Sequence, residues 1–92
     1  MRTEPVEIYS DATNSAVMKH PLRHFPGVLV QGDTLHSLCV AADKSCEAAR
    51  GCLSEDEYLE LNDLRNHLWD LLNHYKRVLG EHQIKLPFSE TP

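Results

Sequence analysis

An α+β fold is what this sequence predicts: a small, mostly antiparallel sheet of two or three short strands packed against two helices, at about 33–50 and 54–79. Three observations carry that expectation. The first 31 residues hold short alternating or β-branched apolar runs broken by turn residues, the pattern of strands. The remainder holds two longer stretches whose apolar residues recur at helical spacing. Between and around these stretches lie cap-type residues, Asp33, Gly51, Ser54 and Gly80, where helices start and stop.

The elements follow in order. Val6, Glu7, Ile8 and Tyr9 alternate and predict a first strand. Asp11 to Asn14 is polar and turn-forming, and Ser15, Ala16, Val17, Met18 and Lys19 are read as a returning strand. Two prolines and a glycine between His20 and Gly27 predict an irregular loop. Val28, Leu29, Val30 and Gln31 form a third strand, ended by Gly32 and Asp33. Asp33 is placed to cap the first helix, because its carboxylate can accept from an orphan backbone N–H of the first turn. Leu35, Leu38, Cys39, Ala42, Cys46 and Ala49 make that helix's apolar stripe, and Gly51 ends it. Ser54 and Glu57 match the capping-box spacing, opening a second helix that Gly80 stops. At 1.5 Å per residue that helix is roughly 39 Å long. Leu61, Leu64, Leu68, Leu71, Leu72, Tyr75 and Leu79 form its broad apolar face. Ile84 to Phe88 alternates again, but Pro87 restricts it to an edge strand or a docked extended tail. A chain of 92 residues with 41% hydrophobic and 25% charged residues fits one soluble domain, with flexible ends at 1–4 and 89–92. Its core is thin, and so short a chain leans on a partner for part of its stability.

Charge and composition narrow the function. Nine Lys and Arg against fourteen Asp and Glu give a net charge of −5, with the basic residues scattered. Nucleic-acid binding needs clustered cations, so no nucleic-acid partner is expected. No apolar run approaches the roughly 20 residues of a membrane span, and the N-terminus lacks a signal-peptide core. A cytoplasmic address follows. Cys39, Cys46 and Cys52 are odd in number and read as free thiols. Cys39 and Cys46, on the apolar stripe, are core-facing, and Cys52 sits in the interhelix turn.

Three constellations invite chemistry. His36, Cys39, Asp43 and Cys46 share one stripe of the first helix and are all competent zinc ligands. Spread over about 15 Å of one straight helix, they cannot meet around one ion. Asp63, His67, Asp70 and His74 recur along the second helix, where a carboxylate beside an imidazole can tune proton transfer. With no nucleophile or pocket signalled nearby, a solvated flank is the simpler reading. Arg23, His24 and Phe25 form a possible loop site, an anion-friendly turn pinned by an aromatic ring. No catalytic residue, metal site or cofactor is predicted.

The site expected to bind a partner lies on the second helix. Tyr58, Arg65 and Trp69 fall on the shoulder of its apolar stripe, with Leu61 and Leu72 beside them. Tyr, Arg and Trp are the types most enriched at interface hot spots. The competing reading is that Trp69 finishes the core against the sheet or the 84–88 tail.

Phe25, Pro26, Gly27, Val28, Leu29, Val30, Gln31, Gly32, Asp33, Thr34 and Leu35 resemble the HicB antitoxin family, in which a Pro-Gly loop leads through a strand into a helix. The resemblance implies that strand-to-helix joint. His36, Ser37 and Leu38 depart from the family's helix start, and no C-terminal DNA-binding module follows, so autoregulation on DNA is not implied. The whole chain looks more like a small bacterial domain family of unassigned activity. That likeness rests on the opening strand, Asn14, the Arg23 to Gly27 loop, Gln31, Gly32 and Asp33, and the Tyr75 to Phe88 tail. Together these readings predict a non-catalytic protein-binding module that sequesters a protein partner as an antitoxin or immunity protein does. One alternative is a small metal-dependent or histidine-using enzyme built on His20, His24 and the helix histidines. A second is a structural homodimer.

Overall fold

The computed structural model describes residues 1–90; the last two positions of the expected flexible end at 89–92 lie outside the described residues. In chain order the elements are β1 (Glu7–Ser10), β2 (Ala16–Lys19), β3 (Gly27–Leu29), α1 (Gly32–Ala49) and α2 (Glu55–Glu81). This is the α+β class the sequence predicts, with all three strands present. The chain divides into two compact units, Met1–Gln31 and the segment from Gly32 onward.

The first unit is an antiparallel meander in the order β1-β2-β3. Its register explains where the strands stop. Glu7 pairs with Lys19, so Val6 has no partner, and Leu29 pairs with Ala16, so Val30 and Gln31 run past the end of β2. The strands are therefore shifted from the predicted 6–9 and 28–31. Between Ile8, opposite Met18, and Ser10, opposite Val17, Tyr9 is an extra residue, a bulge that strengthens the local twist. The turn after β1 is closed by short side chains: Ser10 Oγ accepts from Ala12 N, and Thr13 Oγ1 accepts from Ser15 N. After β2, the His20 carbonyl and Nδ1 accept from Arg23 N and Leu22 N, each at 3.0 Å, and turn the chain toward β3.

The second unit is an antiparallel helical hairpin. Gly51, at φ +80°, takes the left-handed conformation that ends α1, as expected. Ser54 then caps α2 with both halves of the capping box formed: Ser54 Oγ accepts from Glu57 N, and Glu57 Oε1 accepts from Ser54 N.

Two expectations are corrected here and one open alternative is decided. Asp33 is not the N-cap, because α1 already starts at Gly32; its Oδ1 accepts instead from the adjacent Thr34 N at 2.8 Å. Gly80 does not stop α2, which runs on to Glu81. The stop belongs to Gln83 at φ +57°, with Ile84 N donating to Leu79 O and Gln83 N to Gly80 O. Those two bonds make a Schellman motif, and the polar Gln83 accepts the left-handed position at some cost. Finally, residues 84–88 form no strand and follow the docked-tail alternative instead.

The core lies between the helices. Cys39 and Leu72 are fully buried and Cys46 is 5% exposed. Cys46 Sγ lies 3.9 Å from Leu61 O, and Gly32 faces Tyr75, so the helices are antiparallel along the whole of α1. A Cβ at Gly32 would overlap the Tyr75 ring, so the absence of a side chain is what lets that ring seat against the start of α1.

Candidate interaction site

The residues predicted for partner binding all lie on the face of α2 that meets α1. Leu72 is fully buried, and Tyr58, Leu61, Arg65 and Trp69 are half-buried. Asp43 on α1 joins two of them. Its Oδ1 accepts from Arg65 Nε at 2.6 Å and from Trp69 Nε1 at 2.9 Å. One carboxylate oxygen thus fixes a guanidinium and an indole across the hairpin. Hydrogen bonding and the charge of Asp43 push Arg65 above its ordinary value.

Below this clasp, Asp43, Cys46, Glu47, Arg50, Tyr58, Asn62 and Arg65 line an open polar cavity of about 290 Å³. Opposite charges meet there: Arg50 lies 3.5 Å from Glu47 and is hydrogen-bonded by Tyr58, which raises it above its usual value. Above it, the tail returns across the hairpin. The Phe88 ring stacks on His36 with centroids 4.2 Å apart and planes within 4°. Glu90 pairs with Lys76. Together with Trp69 and Leu72, these four enclose a small cavity of about 100 Å³.

The stripe of metal-competent residues on α1 is thereby dispersed to separate tasks. His36 holds Phe88, Asp43 holds the clasp, and Cys39 and Cys46 are buried. Burial first, then the Asp43 charge, pushes the Cys39 thiol up against the opposing pull of Arg65, so it stays protonated and unreactive. Cys52 is exposed in the interhelix turn. Asp63, His67, Asp70 and His74 are all exposed, and His74 Nδ1 lies 2.8 Å from Arg77 Nη2. Among the described residues no group of three or more His, Cys, Asp or Glu is placed to hold a metal ion.

In the sheet unit, the loop candidates separate. Arg23 and Phe25, with Val6, Met18, His20, Val28 and Leu29, line a shallow apolar depression of about 230 Å³. His24 is not in that lining and tilts against Phe25 at 6.5 Å. Asp43, Lys76, Phe88 and Glu90 were missed as site residues. Their sequence signal is weak: a carboxylate on a helix stripe, and an aromatic residue at the end of the alternating run Ile84, Leu86, Phe88.

A small α+β protein that offers an apolar depression on its sheet unit and a strapped groove on its hairpin is the class these features define. The chain belongs to a family of unknown function, DUF6959, whose model matches residues 1–88 and so takes in every strand and helix. Searches of curated proteins and of solved structures found no match. The family match brings no link to the HicB antitoxins. Among the described residues no helix is long and apolar enough to cross a membrane.

Proposed function

We propose that this protein is a non-catalytic binding module that sequesters a protein partner, in the manner of an antitoxin or immunity protein. One observation carries the reading: the sheet unit leaves most of its large apolar side chains exposed. Phe25 is 81% exposed, Val28 61% and Leu29 50%, around a depression walled by carbon. Apolar surface of this kind on a soluble protein marks a place that another molecule covers. The charge distribution supports a basic partner. Residues 1–31 carry three basic and three acidic residues, whereas residues 32–92 carry six basic and eleven acidic. An acidic hairpin steers a cationic protein, and a neutral apolar sheet docks it. A bacterial cytoplasm, in which the three thiols stay reduced, is the setting that goes with this reading.

The test is co-purification of a stoichiometric protein from the native host, followed by calorimetry with that protein purified. Phe25→Asp is expected to weaken binding at least tenfold while the melting temperature is unchanged. A partner that binds Phe25→Asp and the unaltered chain equally would remove the sheet unit from the interface. Recovery of no partner would remove the reading itself.

A further inference from the structure

The tail at 84–90 is held by side chains at a spacing that describes a ligand. Phe88 lays its ring flat on His36, and two residues on, Glu90 reaches Lys76. Pro87, lacking an N–H and fixed in φ, stiffens the entry to that pair. Beneath them Trp69 and Leu72 close the floor, and about 100 Å³ of space remains. An aromatic stack and a half-exposed ion pair are each weak interactions, so this strap is exchangeable, whereas the Leu72 floor beneath it is not.

We infer that the groove formed by His36, Trp69, Leu72 and Lys76 is a peptide-recognition site for a segment carrying an aromatic residue and, two positions on, a carboxylate. The chain's own Phe88 and Glu90 occupy it in cis. The occupant argued for is a partner segment of the same chemistry, because the seated tail displays what the groove accepts. This rests on the binding-module reading and adds a second contact to it. Trp69 and Leu72, two of the residues the sequence marks for partner binding, then become available when the strap is displaced. In cis the tail competes at high local concentration, so the groove is open to a partner only at that cost.

Trp69 is the one tryptophan of the chain and reports on the groove directly. The experiment is a fluorescence titration of the full-length Phe88→Ala chain with a synthetic peptide spanning residues 84–90. A saturable change in Trp69 emission is expected. It should weaken at least tenfold when the peptide carries Phe88→Ala or Glu90→Gln, and at least tenfold when the unaltered chain, with its own strap in place, is titrated. Absence of a saturable change would overturn the proposal, as would equal responses from all peptides or from both chains. Should Phe88→Ala lose its helical circular dichroism, Lys76→Glu replaces it: this variant should reject the native peptide and accept one carrying Glu90→Lys. Acceptance of both peptides alike, or of neither, would also overturn it. No cellular partner enters this titration, so its failure is distinct from failure of the sequestration reading, which the Phe25→Asp calorimetry tests.

Discussion

The two units of this chain solve the problem of a thin core in opposite ways. The hairpin concentrates its stability: Cys39, Cys46 and Leu72 are buried between two long helices, and at one end Gly32 leaves room for the Tyr75 ring. The sheet unit has no buried residue; its strands are three or four residues long, with β1 and β3 exposed throughout and β2 half-buried. Charge follows the same division, with the whole net excess of acid on the hairpin. The contrast teaches that burial and surface readiness are allotted to different parts of a small protein. The part with a core is the scaffold, and the part without one is mostly surface.

The largest effect that can break this contrast is at Leu72. Leu72→Ala should cost about 2–5 kcal/mol in urea unfolding, a large share of what a domain this size has to lose. Val28→Ala, at a site 61% exposed, should cost less than about 1 kcal/mol. Similar costs at the two sites would contradict the assignment of scaffold and surface.

Next in size is the close approach at Gly32. Gly32→Ala forces its methyl into the Tyr75 ring and should destabilise by about 1–3 kcal/mol. Combined with Tyr75→Leu, which removes the obstructing ring, the double variant should cost less than the two single changes added together. Additive costs would show that the ring is not what limits the approach.

The clasp contributes less, because both of its charged partners are partly in water: the Arg65 and Asp43 side chains are 38% and 40% exposed. Asp43→Ala should cost about 1–2 kcal/mol and shift Trp69 emission, since the indole N–H loses its acceptor. An unchanged emission spectrum would mean the indole is held by packing alone.

The smallest effect is the pH dependence of the capping box. Hydrogen bonding to Ser54 holds the Glu57 carboxyl below its usual value. A depressed folded-state value means the contribution is fully present above the ordinary glutamate pKa of about 4.3 and is lost as pH falls through the folded value. Glu57→Gln should therefore lower stability slightly at neutral pH, with the difference shrinking to nothing as pH falls through the folded value, so that its acid limb is flatter. An identical acid limb in both proteins would place the titration elsewhere.

The sequence made the hairpin far more legible than its contacts. Ser54 with Glu57, and Gly51, mark a helix start and a helix end through local chemistry that needs no tertiary information, and both stand where they were read. Gly80 misled because it can also continue a helix, and the left-handed position fell to Gln83, a residue that carries weaker stop chemistry. Strand ends at 6 and 30–31 were illegible because they depend on which residue of β2 lies opposite. The site was legible as a face of α2 but not as a set of partners. Tyr58, Arg65 and Trp69 signal an interface through residue type alone, and nothing in spacing reveals that Asp43, twenty-two residues before Arg65, meets two of them. The tail's role depends on His36, more than fifty residues away in the chain, and periodicity does not reach that far.

The division into scaffold and surface is tested most directly by native-state hydrogen exchange of the free protein. Amides of α1 around Cys39 and of α2 around Leu72 should exchange only through global unfolding, at least a hundredfold more slowly than those of β1, β2 and β3, which open locally. Equal protection of strands and helices, with the same denaturant dependence, would contradict the account: it would mean that the two units unfold as one.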